Sequence, residues 1–545
     1  MTSPAWASTR RILLHGGTIY SPVSPFATAM LVDGDHIAWL GEDSAARAHH
    51  DSADEVVDLR GALVTPGFVD AHVHATSVGL TLSGLDLRAC TSLADALAML
   101  EARARELRGG VLIGHGWDET RWPEGRPPSR EEIDRSTWGS VVYLSRVDVH
   151  SAVVSSALLA MAPRARGLAG FDADGPLSRE AHHAVREAAL GSVGMGQRRA
   201  AQRLARETAA SLGIVALHEM AGPTISSEAD LSELLALASS EPGPLVTGYW
   251  GELARSGGIE RARTLGAHGA AGDLFADGAI GSRTACLGSP YDDAPGVTGA
   301  AYLDAADVAD HVAAATRAGL QAGFHVIGDA ACAAVVAGLQ EASRRVGLPS
   351  MRALSHRLEH VEMLSPDQVP VLAELGVTAS MQPVFDALWG GSGGMYERRL
   401  GAGRASAMNP LADLVSAGVL VAFGSDAPVT ELGPWAAVAA AMNHSNPAQS
   451  MSARAAFSSH TRAGWRAIGD HVAGVLAPGA PAHLSMWAVE DVVVQVPDER
   501  LSAWSTDPRS GTPGLPSLGG GAPAPRCLRT AVAGRTVFDS GELEG

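Results

Sequence analysis

What the chain has little of narrows it first. Only four cysteines occur in 545 residues. Cys90, Cys286, Cys332 and Cys527 are widely scattered and form no Cys-x-x-Cys, which argues against a disulfide framework and a cysteine-built zinc site. Positive charge is also scarce: 41 Lys and Arg face 59 Asp and Glu, for a net charge of -18. A nucleic-acid partner would require a basic footprint, so none is expected. No run of about eighteen apolar residues is present, and no membrane span is expected. The first eleven residues carry a basic pair after their small residues and no long apolar region follows, which is not the order of a secretory leader. A cytoplasmic location is the expectation. No Gly-x-Gly-x-x-Gly follows a strand-like run, which sets aside a dinucleotide-binding fold.

What remains is a large globular chain, 46% hydrophobic and 18% charged, too long for one small core. Its organising stretch is Val64-Thr-Pro-Gly-Phe-Val-Asp-Ala-His-Val-His74. In a strand, residues i and i+2 share a face, so His72 and His74 project together from its end. Imidazole is the commonest metal-binding side chain, and two on one face can hold a divalent ion.

The segments before this stretch read as short strands with glycine turns, Asp33-Gly34 being a hairpin signal. The segments after Gly474 are strand-like again, around a Pro/Gly/Ser-rich loop at about 505–525. Residues 1–63 and 474–545 are therefore expected to form one composite β-sandwich. Residues 64–473 lie between them, and a stretch of mixed helix and turn at about 80–205 is an insertion. Short apolar runs at 64–69, 214–217, 245–250, 273–276, 321–326, 357–361, 377–381 and 420–424 alternate with amphipathic helices. Eight such units in an α/β chain indicate a (β/α)8 TIM barrel, whose active site forms at the C-terminal strand ends. At those ends stand His72 and His74, His218 and Glu219, Asp277, His325, Glu359 and His360, and Asp426. The two histidines of the first strand end, two more from separate strands and one aspartate make a mixed imidazole–carboxylate set suited to Zn²⁺. The histidine pair His182-His183 lies in a helical stretch at 179–212 without evident partners and reads as surface.

Several segments together resemble the amidohydrolase superfamily of metal-dependent barrels, in the branch with YtcJ-like proteins and N-substituted formamide deformylase. They are Pro66-Gly-Phe-Val-Asp-Ala-His-Val-His74, Phe275-Ala-Asp-Gly-Ala-Ile-Gly-Ser-Arg-Thr284, His325-Val-Ile-Gly-Asp329, Leu358-Glu-His360, Ser380-Met-Gln-Pro383 and Gly424-Ser-Asp-Ala-Pro428. The resemblance implies one or two divalent ions, with His72 and His74 at one position and His325 and His360 at a second. It implies that Asp426 is a shared ligand and proton carrier, and that Arg283 or a histidine such as His325 helps polarise a carbonyl. It places Trp117, Asp148, His150, Arg283 and Gln382 along the substrate pocket. Many members carry a carboxylated lysine before the Phe-x-Asp-Gly segment, where this chain has Asp273. Glu219 is then the preferred bridging ligand and Asp273 the weaker candidate.

The activity implied is hydrolysis of a linear C–N bond in a small N-acyl or N-formyl amine. A cyclic amidase, a deaminase and a non-catalytic metal-binding barrel stay open beside it, as does assembly as a homodimer.

Overall fold

The computed structural model describes residues 4–107, 110–146, 151–495, 504–505, 513–518 and 523–543. Contacts divide the chain into two compact units, residues 1–74 with 206–545, and residues 75–205.

In the first unit Pro66 and Gly67 split the organising stretch between two sheets. Leu63–Pro66 pairs antiparallel with Leu484–Ala488, whereas Phe68–Val73 enters the barrel. The barrel strand therefore starts four residues later than its apolar run suggested. Gly67 is required at the join, because a Cβ there would lie 2.2 Å from Val215 Cγ1.

The sandwich joins both ends of the chain. One sheet runs His36–Gly41, Ala29–Asp33, Arg11–His15, Glu55–Asp58; the other runs Thr18–Ile19, Leu63–Pro66, Leu484–Ala488, Arg526–Val532, Arg535–Asp539. Leu14, Met30, Val32 and Val57 from the first meet Val64, Leu484, Met486 and Leu528 from the second in one buried core. The expected hairpin is there, with Asp33 opposite His36 and Gly34 at φ +63° in its turn. Most of the Pro/Gly/Ser-rich stretch at 505–525 lies outside the described residues.

Eight parallel strands form the barrel: β1 (Phe68–Val73), β2 (Ile214–Ala221), β3 (Leu245–Trp250), β4 (Gly269–Ala270), β5 (Gln321–Val326), β6 (Arg357–His360), β7 (Thr378–Met381) and β8 (Leu420–Phe423). Each pairs with the next. A parallel bridge between Val73 and Ala427 brings the last strand back to the first. Every residue of β1, β2 and β5 is buried, as expected for strands covered by side chains inside and helices outside. Among those helices are Glu228–Ser240, Ala305–Ala318 and Asp329–Val346.

One strand differs in place. The fourth was expected at 273–276 but consists of Gly269–Ala270. Small residues allow a close approach here, since a Cβ on Gly269 would lie 2.4 Å from the Gln321 carbonyl oxygen. Gly272, at φ +89°, then turns the chain out of the strand. Asp273 consequently stands in the loop at the barrel mouth instead of inside the sheet.

The second unit holds a five-stranded sheet where mixed helix and turn was expected. Its order is Leu177–Ser178, Ser151–Val154, Val141–Arg146, Val111–Trp117, Leu85–Asp86. Val111, Tyr143 and Val154 face one apolar core, and Leu112, Val142, Leu144 and Val153 another. Strands buried on both faces lose the alternation that identifies them in sequence. The helical stretch is two helices, Arg179–Gly191 and Met195–Ser211. His182 is not a surface residue: it is buried, 3% exposed, with its Nε2 2.7 Å from the Tyr143 hydroxyl. The helix turns it onto the sheet, while His183 stays exposed.

Candidate metal centre

At the C-terminal mouth of the barrel, β1, β5, β6 and the loops after β4 and β8 converge on Asp273 and Asp426. His72 Nε2 lies 3.5 Å from Asp273 Oδ1 and 3.4 Å from Asp426 Oδ1. His74 Nε2 lies 3.2 Å from Asp273 Oδ2 and 3.2 Å from Asp426 Oδ1. His325 Nδ1 stands 3.7 Å and His360 Nε2 4.0 Å from Asp273 Oδ1. All six side chains are buried or nearly so.

The outer hydrogen bonds fix which ring nitrogen faces inward. His72 Nδ1 donates to Glu359 at 2.9 Å, His74 Nδ1 to the Met220 carbonyl at 3.1 Å, and His360 Nδ1 to Gln382 Oε1 at 2.8 Å. His325 turns the opposite nitrogen outward, its Nε2 donating to the Gly278 carbonyl at 3.3 Å. In the neutral ring the remaining nitrogen is then a lone-pair acceptor. Four such acceptors surround carboxylate oxygens, an arrangement of acceptors alone.

That arrangement calls for a cation. His72 Nε2, His325 Nδ1 and Asp273 Oδ1 are buried and without a hydrogen-bond partner, which is costly unless something positive sits between them. In the absence of an ion, protons supply the positive charge: burial works against protonating His72, yet Asp273 and Asp426 hold its pKa well above the ordinary value. They likewise carry His74 to about 10 against its burial. Burial also opposes ionising Asp426, but the electrostatic pull of His72 brings it below the usual carboxylate range. Spacing agrees with a metal: ligand atoms about 2.0 Å from a tetrahedral ion lie about 3.3 Å apart. Among the described residues, two triads fit: His72, Asp273 and His360, and His72, His74 and Asp426.

Two of the candidate ligands sit on uncommon backbone. His360 has φ +71° and Asp426 φ +55°. Left-handed geometry in non-glycine residues costs about 1–3 kcal/mol and concentrates at functional sites. Glu359, the residue before His360, contacts His72.

The two candidates for the bridging position are placed differently. Asp273, the weaker candidate, stands among all four imidazoles, whereas Glu219 belongs to neither triad. Alternation along β2 is the reason. His218, beside Arg357, and Met220, packed on Tyr249, occupy the inner face, which puts Glu219 on the opposite one.

Other expected residues are distributed differently. Arg283 is not brought to the cluster. Its guanidinium makes a two-pronged pair with Asp293, at 3.0 and 2.8 Å, and Arg399 joins the same carboxylate. Gln382 supports His360. Trp117 is buried in the second unit, where its Nε1 donates to the Leu144 carbonyl at 2.9 Å. Asp148 and His150 lie outside the described residues.

Three supporting residues had no role assigned from sequence. Asp70 Oδ1 accepts the backbone N–H groups of His72 at 3.2 Å and Ser425 at 2.9 Å. Glu359 and Arg357 are fully buried and paired at 2.5 and 2.9 Å. Their i, i+2 spacing on a strand was the available signal, since it puts both on one face. Asp277, noted at a strand end, binds structure instead, accepting backbone N–H groups of Ile327, Gly328 and Cys286.

A family model described as amidohydrolase family matches residues 55–538. The putative amidohydrolase YtcJ of Bacillus subtilis is 27% identical over 456 residues, covering 79% of this chain and 83% of that protein. The N-substituted formamide deformylase of Arthrobacter pascens is 24% identical over 444 residues, covering 76% and 80%. Among solved structures, an uncharacterized metal-dependent hydrolase from Pyrococcus furiosus aligns with a TM-score of 0.74 at 25% identity, covering 87% of this chain and 98% of that one.

Proposed function

We propose that this chain, which belongs to the amidohydrolase family, hydrolyses the linear C–N bond of small N-acyl or N-formyl amines. The observation that carries this reading is the place of Asp426. It is a buried carboxylate at the end of the last barrel strand, within 3.4 Å of the inward nitrogens of both His72 and His74. The similarity to a formamide deformylase favours a formyl or other small acyl group.

His72, His74, His325, His360, Asp273 and Asp426 would hold one or two divalent ions, zinc by the character of the donors. When bound, such an ion brings the pKa of water to about 7 and polarises a carbonyl. Asp426, kept ionised by the neighbouring imidazoles, accepts a proton from the attacking water. It returns that proton to the nitrogen as the C–N bond breaks, because an amine leaves poorly unless protonated. The products are a carboxylic acid and an amine. His360, lowered to about 4 by burial and by His325 and His72, remains a neutral donor throughout. Arg283 has no part in these steps, since its charge is engaged by Asp293.

The test is amine release from a panel of N-formyl and N-acyl amines, with zinc and after chelation. Metal-dependent release is expected, with Asp426→Asn lowering turnover by about 10²–10⁴. Ammonia from amino-heterocycles, or opening of cyclic amides with no linear amide cleaved, would transfer the site to the rival chemistries. A metal-loaded protein inert to all three classes would favour a non-catalytic barrel.

A further inference from the structure

The inward-facing histidines are not held alike. His74 and His360 donate to neutral oxygens, the Met220 carbonyl and the Gln382 amide. His72 donates to a full carboxylate, Glu359, at 2.9 Å. His72 is also the one residue common to both metal-fitting triads.

Glu359 is fully buried. Arg357, two residues earlier on the same face, supplies the opposing charge through Nε at 2.5 Å and Nη2 at 2.9 Å. Arg357 is itself locked, with Nη2 donating to the Ala71 carbonyl at 2.6 Å and its guanidinium carbon 4.7 Å from the Tyr249 ring centre. Its Nη1 stands 3.3 Å from His218 Nδ1. An ion pair removed from water contributes little net stability compared with apolar residues of the same volume, so packing alone does not account for it.

We propose that Arg357 and Glu359 form a positioning device for the metal centre. Glu359 holds the proton of His72 on Nδ1, aims its Nε2 lone pair at Asp273 and Asp426, and raises the donor strength of that nitrogen. Arg357 clamps the Glu359 carboxylate in place through its two contacts. Glu359 acts through His72 and touches no reacting atom. The proposal rests on the cluster being a metal centre, and it makes His72 the strongest imidazole ligand of the four.

Removing only one charge leaves the other buried and unpaired, which can unfold the protein. The deciding variant is therefore the double substitution Arg357→Met with Glu359→Gln, which deletes both charges but leaves an oxygen to accept from His72. Full-length wild type and double variant are stripped of metal, and zinc and cobalt affinities are read by competition with a chromogenic chelator. Thermal melting monitors the fold, and in the zinc-loaded proteins the ¹H shift of the His72 Nδ1 proton reports its hydrogen bond to residue 359. The double variant is expected to melt like the wild type, bind both ions roughly 10- to 100-fold more weakly, and show an upfield shift of that proton. A folded double variant with wild-type affinity and an unchanged Nδ1 proton shift overturns the proposal. A wild type that binds neither ion would instead remove the metal-centre reading beneath it, so the two failures are distinguishable.

Discussion

Asp70 accepts the backbone N–H of Ser425 at 2.9 Å, a hydrogen bond that joins the first barrel strand to the turn after the eighth. The same oxygen accepts the N–H of His72. Next to it, the Asp426 N–H donates to the His72 carbonyl at 2.8 Å and the His74 N–H to the Ala427 carbonyl at 3.0 Å. Closure of the barrel and assembly of the site are thus one event, in which β1 and β8 bring His72, His74 and Asp426 together.

The first prediction follows from that joint. Asp70→Ala leaves two buried N–H groups without an acceptor, at about 1–3 kcal/mol each. The variant is expected to unfold at lower denaturant than wild type and to lose metal along with stability. Chemical denaturation and metal content of the same preparation check both. A fully stable variant with an intact metal complement would show that the joint carries no load.

Asp273 and Glu219 separate the two bridging assignments. Asp273→Ala is expected to weaken metal binding by more than about 100-fold, beyond the usual loss for a supporting residue, whereas Glu219→Ala keeps its metal. Elemental analysis after gel filtration reads both, and the opposite ranking would return the bridge to Glu219.

Acid sensitivity has a definite sign. Nδ1 of His311, His356 and His483 each accepts a backbone N–H, from Ala254 at 3.0 Å, Ala322 at 2.9 Å and Ala533 at 3.1 Å. Burial lowers all three imidazoles to about 4. An unfolded histidine protonates near pH ~6.5, so below that value the unfolded chain binds more protons than the folded one. The stability in question is whole above about pH 6.5 and is lost as pH falls towards 4, up to about 3 kcal/mol per histidine. Melting temperature is expected to fall across this window, and His356→Gln to flatten the fall. An unchanged melting temperature from pH 7 to pH 4 would contradict it.

Arg283 provides a fourth. Its pair with Asp293, shared with Arg399, joins residues 283 and 293 to the helix Met395–Leu400. Arg283→Met, Arg399→Met and Asp293→Asn are therefore expected to change kcat/KM by similar, modest factors, since each breaks the same clasp. A loss in Arg283→Met that far exceeds the other two would give Arg283 the oxyanion role expected from sequence.

Much of the candidate metal centre was legible because metal ligation uses few residue types at strand ends. His72, His74, His325, His360 and Asp426 could each be named from a histidine or aspartate closing an apolar run. The supporting layer was harder to read. Glu359 was visible as a residue, but its partner His72 is 287 positions away, and no local pattern encodes that pairing. The sheet of the second unit was missed because its strands are apolar on both faces.

By itself, the order of residues determined the barrel class, the composite sandwich and the inward histidines, since periodicity and strand-end chemistry are local properties. Only the tertiary structure decided that Asp273 stands among the four imidazoles and Glu219 in neither triad. That choice depends on Gly272 turning the chain out of a two-residue strand and on the alternation of β2 facing Glu219 away. It likewise decided that Arg283 pairs with Asp293, because distance between side chains, unlike their chemistry, is settled only when the strands close.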